Sequence, residues 1–411
     1  MSSARFFAAL LVAGSLVPAA LAQTTEPWKE PQDSADAINN PDRYAWRLFV
    51  ALNWPADIKQ KQADPSKRFG DAAPGAVTWE TWRNARNQAP DTAFPLDGSD
   101  PGPWLDKESS SEKLAASFDD NALQQLIRRN ILQNSKAPVP FFDESSARQR
   151  RNETRLNKGA YEFVRSNKLY NADDQVRLFT SGRTSIEFPF SAKEIKAQWR
   201  EISPSDKPRY HWVEVNAAGQ TKLYGLTALH ITTKDLPNWF WATFEHIDNK
   251  LSQAAGGRPG NEGWLLPSRD RFACTNPPFD CEQSPSGIGL QGTKWEHYRL
   301  RGTQIDFVDS RGSATLLANS HPESGFQITS SCITCHARAT IGASERLSVF
   351  MCQRNDDTVE GAVGAPIPAW FVGPDGRTKF TQLDFVWSLF RAKRSNTGDI
   401  SPGGLPECPQ N

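Results

Sequence analysis

Arg209-Tyr210-His211-Trp212-Val213-Glu214-Val215 and Leu223-Tyr224-Gly225-Leu226-Thr227-Ala228-Leu229-His230-Ile231 flank Asn216-Ala217-Ala218-Gly219-Gln220. With them the period of this chain turns from helical to alternating. Two strand-length runs around a short glycine-containing loop read as a β-hairpin. A third, aromatic run follows at 239–247, and 295–308 reads as one long strand or a second hairpin near Gly302. The stretch 171–310 is therefore expected to be mainly β.

Upstream the period is helical. Asn40-Pro41 places a capping residue before a first-turn proline, Ala45, Leu48, Phe49 and Leu52 recur at helical spacing, and Pro55 stops the run. A second amphipathic helix is predicted after Asp119-Asp120, with Leu123, Leu126, Ile127 and Ile131 on one side. Between them a loop-rich stretch carries Trp79, Trp82 and Trp104. Arg148, Arg150, Arg151 and Arg155 make a segment at 143–168 basic, read as a solvated helix face or as a docking patch for an acidic redox partner. Near the C-terminus, Leu383, Val386, Trp387 and Phe390 form a helical stripe within 382–393. The expected architecture is α+β: a leader at 1–22, a helical and loop-rich region at 23–170, a β-rich middle at 171–310, and a C-terminal loop and helix segment at 311–411. No internal repeat is visible.

That last segment contains Cys332-Ile333-Thr334-Cys335-His336. Two thiols two residues apart can add across the two vinyl groups of one haem, and the following histidine is placed to ligate the iron. Cys-x-x-Cys-His is the attachment pattern of c-type haem. A zinc ribbon needs a second cysteine pair at matching spacing, and the sequence has none. A thioredoxin-like redox pair wants a βαβ setting and usually an aromatic just before the first cysteine, where Ser330-Ser331 stand. The competing plain reading is a disulfide between Cys332 and Cys335. With haem c bound, His336 is the expected proximal ligand, its other ring N–H donating to a backbone carbonyl or similar acceptor.

The N-terminus fits an exported protein. Arg5 precedes an apolar run from Phe6 to Val17, and Ala20-Leu21-Ala22 offers a small-residue cleavage site. The run is too short to span a bilayer, and no later run has transmembrane length. Lys plus Arg and Asp plus Glu both number 47, so no global field favours nucleic acid or an anionic membrane. Fourteen tryptophans against two methionines point to aromatic-rich packing rather than a pliable methionine surface. Of the cysteines outside the motif, Cys274 and Cys281 flank a Pro-Pro loop and are the preferred pair, leaving Cys352 with Cys408.

The sequence leaves the opposite face of the iron open among three arrangements. Met351 is the only methionine of the mature chain and a candidate second ligand, although Leu347, Val349 and Phe350 around it look like core. His230 and His246 project from apolar strand faces, and His321 precedes the motif; His211 and His297 are weaker candidates. In the third arrangement the face is open to water, peroxide, NO or an organic substrate. His246 would then serve as distal base and Trp239 or Trp241 as pocket wall or electron relay. Glu245 lies on the other strand face and is expected in a structural salt bridge.

Tyr298-Arg299-Leu300-Arg301-Gly302-Thr303-Gln304, Leu317-Ala318-Asn319-Ser320, Ser331-Cys332-Ile333-Thr334-Cys335-His336-Ala337-Arg338-Ala339, Phe49-Val50-Ala51-Leu52-Asn53-Trp54-Pro55 and Trp241-Ala242-Thr243-Phe244-Glu245-His246 together resemble a group of exported bacterial monohaem proteins labelled cytochrome c family. The resemblance spans most of the mature chain. It implies one covalent haem c, His336 as proximal ligand and a periplasmic address, and it transfers no activity. A β-rich chain with a late Cys-x-x-Cys-His is also loosely similar, in architecture only, to cytochrome P460 and the β-type cytochromes c′, which have an open distal face and handle hydroxylamine or NO. The expected function is a periplasmic haem oxidoreductase acting on a small molecule or passing electrons through Fe(III)/Fe(II). The alternative is a non-catalytic electron-transfer or haem-sensor module whose extra domain binds a protein partner.

Overall fold

The computed structural model describes residues 26–71, 75–105, 150–217, 220–249, 268–274, 281–323, 330–348, 350–353, 359–361, 363–395 and 400–403. The leader, the helix expected after Asp119-Asp120, Arg148 and Cys408 lie outside the described residues.

Alternation in the middle of the chain produces a seven-stranded antiparallel sheet. Its strands are β1 (Arg83–Asn84), β2 (Arg150–Leu156), β3 (Lys193–Ile202), β4 (Trp212–Ala217), β5 (Gln220–Thr233), β6 (Phe240–His246) and β7 (Tyr298–Gln304). They run in the order β1-β2-β3-β5-β6-β7, with β4 beside β5. The spine is β5, fourteen residues long. One edge of it pairs with β3; the other takes β4 along its first half and β6 along its second. The expected hairpin is thus β4–β5, with Ala217 opposite Gln220.

Three expectations change. The arginine-rich segment is not a helix over its basic part: Arg150, Arg151 and Arg155 lie on β2, and only Lys158–Ser166 is helical. Arg155 is buried, its guanidinium bound to Asp91 at 2.7 Å and to the Glu153 carboxylate, so it contributes nothing to a basic surface. The sheet therefore recruits β1 and β2 from before residue 171. The C-terminal stripe does not make a regular helix either. Thr381–Gln382 pairs with Thr340–Ile341, Asp384 and Phe385 adopt positive φ (47° and 67°), and only a 3-10 turn, Trp387–Arg391, follows. Two consecutive left-handed residues interrupt any α-helix there.

Among the described residues the α-helices are α1 (Ser34–Asn39), α2 (Pro41–Leu52), α3 (Lys158–Ser166), α4 (Ala172–Thr180) and α5 (Cys332–Ala337). Proline in the first turn of α2 sits where no intrahelical N–H bond is lost. Strand periodicity places Phe240, Ala242 and Phe244 on one side of the sheet, beside Leu229 and Ile231 and then Ile195, Ala197 and Trp199. All are buried. Helix α2 covers this face: Phe49 meets Phe244, Trp295 and Tyr298 at ring separations of 4.5, 5.6 and 5.9 Å. Trp46 packs edge-on to Phe244 and donates its indole N–H to Asp270 at 2.7 Å. Burying each such ring contributes roughly 1.5–3 kcal/mol.

The other face carries Trp241, Thr243 and Glu245 on β6, Ala228, His230 and Thr232 on β5, and Glu194, Lys196 and Gln198 on β3. A register shift opposite the Gln198-Trp199 step leaves Thr227 as an extra residue. Leu226 consequently faces the apolar side while Ala228 and His230 face the polar one. Residues 317–323, 330–337 and 383–391 cover this second face. Among the described residues no helix is long and apolar enough to cross a membrane.

Candidate functional site

Helix α5 is docked on the polar face by the last residue of β7. Gln304 Oε1 accepts the Ile333 N–H at 3.0 Å, and its amide nitrogen donates to Ser331 Oγ at 2.8 Å. The first bond satisfies one of the N–H groups that a helix start leaves without an intrahelical partner. Parallel to this entry strand, Leu317 bridges Ser331, and Leu317 O accepts from Cys332 Sγ at 3.3 Å. Cys332 and Cys335, at i and i+3, share one side of a single helical turn, and neither is in a disulfide. Burial pushes the Cys332 thiol well above its ordinary pKa.

His336 lies where three elements meet. Its Nδ1 is 2.8 Å from Phe385 O. A carbonyl only accepts, so Nδ1 carries the proton and donates. Burial holds the imidazole down to about pKa 3, and the ring is neutral at ordinary pH. A neutral ring with its proton on Nδ1 has its lone pair on Nε2, the form that ligates a metal. The Trp241 ring lies 4.5 Å from the imidazole and Trp387 6.3 Å. Trp387 also donates its indole N–H to Cys335 O at 3.1 Å.

The carbonyl that orients His336 belongs to a left-handed residue with a bulky side chain, a conformation that costs of order 1–3 kcal/mol. Its neighbour Asp384 holds the turn in place. Asp384 Oδ1 accepts from Lys234 Nζ and Oδ2 from the Phe188 N–H, both at 2.7 Å.

Beside His336 the polar face gathers ionisable side chains. His230 pairs across the sheet with Thr243 on one side and Lys196 on the other. Its Nε2 is 3.6 Å from Glu323 Oε2. The same Glu323 oxygen accepts the Asn319 N–H at 2.8 Å, while Asn319 donates to Thr243 Oγ1 and Phe244 O. Burial pushes His230 well below its ordinary pKa, and the Lys196 charge adds to the shift. Burial raises Glu323 to about 7, opposed by Lys196 and the Asn319 N–H. Burial likewise raises Glu194 to about 7 against the hydrogen bond from Ser388. Lys196 acts electrostatically on His230, Glu323, Cys332 and His336 alike, which places the five groups in one neighbourhood.

The structure brings His230 to the motif and does not bring His246. His246 sits on the α2 side of the sheet, stacked 3.7 Å from Tyr210. Its Nε2 lies 3.0 Å from Arg209 O in the loop before β4, and its Nδ1 accepts the Asp248 N–H at 3.1 Å in the turn after β6, so both ring nitrogens are engaged. The residue on β6 that meets the motif is Trp241, one position out of phase. His211 is bound to Glu80 Oε1 at 2.8 Å and stacks on Trp295, also on the α2 side. His297 is partly exposed beside Glu296. His321 is buried in the covering segment, its N–H donating to Asn319 Oδ1. The backbone of Met351 lies in the strand Phe350–Gln353, and its side chain, like that of Cys352, lies outside the described residues. Glu245 pairs with Arg301 at 2.7 Å, the salt bridge its strand face predicts. Cys274 and Cys281 form the expected disulfide.

Lys196, Glu194 and Glu323 were not singled out from the sequence. A signal for the first two existed: Glu194, Lys196 and Gln198 alternate with Ile195, Ala197 and Trp199, a two-faced strand with charge on one side. A cleft of about 360 Å³ lined by Phe163, Leu169, Leu178, Arg183 and Ile186, among others, shares no residue with this cluster. No protein-family model matches the chain, and no curated protein or solved structure matches it either.

Proposed function

We propose that this chain is a periplasmic monohaem c-type protein that acts as an oxidoreductase on a small molecule. Cys332 and Cys335 would hold the porphyrin by thioethers, each thiol adding across a vinyl group, and His336 would hold the iron. The residues fit that group: two cysteines on one helical turn outside any disulfide, a neutral imidazole, and an indole wall at Trp241. When bound, the haem supplies a one-electron Fe(III)/Fe(II) couple and a coordination position. The chain's own contribution is orientation. The observation that carries the reading is the 2.8 Å bond from His336 Nδ1 to Phe385 O, because it fixes the tautomer and ring plane that an axial ligand needs. The leader-like N-terminus supports export, and the ionisable side chains buried beside the motif support chemistry on a small molecule over electron carriage alone.

The ferrous absorption spectrum of the purified protein tests this. Prompt binding of CO is expected. A six-coordinate spectrum unchanged by CO would leave a pure electron carrier or sensor. Haem staining of a denaturing gel should be positive for the wild type and negative for the double variant Cys332→Ala/Cys335→Ala.

A further inference from the structure

The haem reading names one side of the iron; the sheet register names the other. We infer that His230, positioned by Glu323 and flanked by Lys196, forms the pocket wall across from His336 and donates a hydrogen bond to a small anionic or diatomic ligand on an open iron face. This rests on the haem reading of the motif.

Three observations carry it. First, His230 shares the sheet face of Trp241, whose ring touches His336; it stands opposite Thr243, two residues further along β6. Diagonal neighbours on one face are about 7–8 Å apart, close enough for both side chains to border one small cofactor. The Thr227 bulge is what turns His230 to this face.

Second, one short segment serves both sides of the site. Leu317 donates its N–H to Ser330 O at 3.2 Å just ahead of the motif, Asn319 is tied to Thr243 and Phe244, and Glu323 faces His230. Glu323 Oε2, which accepts the Asn319 N–H at 2.8 Å, faces His230 Nε2 from 3.6 Å, beyond hydrogen-bond reach. An accepting oxygen there favours the ring proton on Nε2. Among the described residues that nitrogen has no hydrogen-bond partner of its own, so its N–H is available to a ligand.

Third, Lys196 sets a positive charge beside His230, while burial raises the Glu323 and Glu194 carboxyls on the same face to about 7 and so reduces their negative charge below that pH. Lys196 lies next to His230 across the strands and acts on His230, Glu323, Cys332 and His336 together. The β5 neighbours of His230 on this face are Ala228 and Thr232, both uncharged. His246, the other strand histidine, has its two nitrogens occupied on the far side of the sheet.

The test uses the full haem-loaded chain, its His230→Phe variant, and His230→Gln, which restores a donor. Azide serves as probe of the ferric protein and CO of the ferrous protein. Haem staining should be positive in all three. Losing one hydrogen bond to the ligand is expected to weaken azide binding by about tenfold in His230→Phe, and to move the C–O stretch to higher wavenumber. His230→Gln should recover part of both shifts. Equal azide affinity and an unmoved C–O stretch in His230→Phe overturn the assignment, as does a haem-stained wild type that binds neither probe. An unstained wild type overturns the haem reading itself and this inference with it, so the two failures are distinguishable.

Discussion

On the α2 side of the central sheet, Phe240, Ala242, Phe244, Leu229, Ile231, Ala197 and Trp199 meet Trp46 and Phe49 in an aromatic core. On the other side, the same three strands bury Trp241, Thr243, Glu245, His230, Lys196 and Glu194 wholly or in part under residues 317–323, 330–337 and 383–391. Both faces are covered, and only the first gains from covering. Burying a polar or charged group costs free energy unless it finds a partner, and here the partners are specific: Gln304 for the helix start, Asn319 for Thr243 and Ser388 for Glu194, while His230 Nε2 is buried without a hydrogen bond among the described residues. One face holds the fold together. The other spends stability on holding side chains in position, a pattern typical of functional sites.

The largest effect should come from the first face. Phe49→Ala removes a ring that touches four others and should cost about 3–5 kcal/mol in denaturant unfolding. A loss under about 1 kcal/mol would mean that α2 is not the cover of the core.

On the second face the signature is pH dependence. Glu194 is raised to about 7 from its ordinary 4.5 by burial. Between these values the unfolded chain gives up its proton while the folded chain keeps it, so this group lowers stability as pH rises through that window and changes nothing further above it. Glu194→Gln should gain on wild type by up to about 3 kcal/mol between pH 4.5 and 7.5. Parallel pH profiles for the two proteins would contradict the buried placement.

Gln304 ties the motif helix to β7. Gln304→Ala removes its bonds to Ile333, Ser331 and Thr315 and should cost about 1–3 kcal/mol, with less haem incorporated per chain. Normal loading would mean that the motif helix does not depend on β7. At the rim, Lys222 and Glu201 pair at 2.8 Å in solvent. Lys222→Ala should change unfolding by less than about 1 kcal/mol, a baseline against which the other variants are read.

Much of this arrangement is legible in the chain itself. The β4–β5 hairpin, β6, helix α2 with its proline start, and the Cys274–Cys281 pair all follow from local period, turn chemistry and spacing. What was not legible depends on single-residue phase. One extra residue at Thr227 moves Leu226 to the opposite face from His230, and a one-residue step separates Trp241, which meets the motif, from the phase of His246, which does not. Arg155 reads as surface charge until Asp91, 64 residues away, is brought beside it. Phe385 gives no local sign that its carbonyl orients His336, because that role needs a left-handed backbone held by Lys234 through Asp384. Glu323 likewise acquires its place only when Asn319 docks on β6.

Peptide mass spectrometry of the purified protein puts the assignment of the polar face to its most direct test. Tryptic cleavage after Arg311 and Arg338 releases one peptide carrying both Cys332 and Cys335. The expected result is that peptide heavier by the mass of one haem, with neither thiol open to alkylation. The same peptide at its unmodified mass, with two alkylatable thiols or a Cys332–Cys335 disulfide, would contradict a haem site on this face.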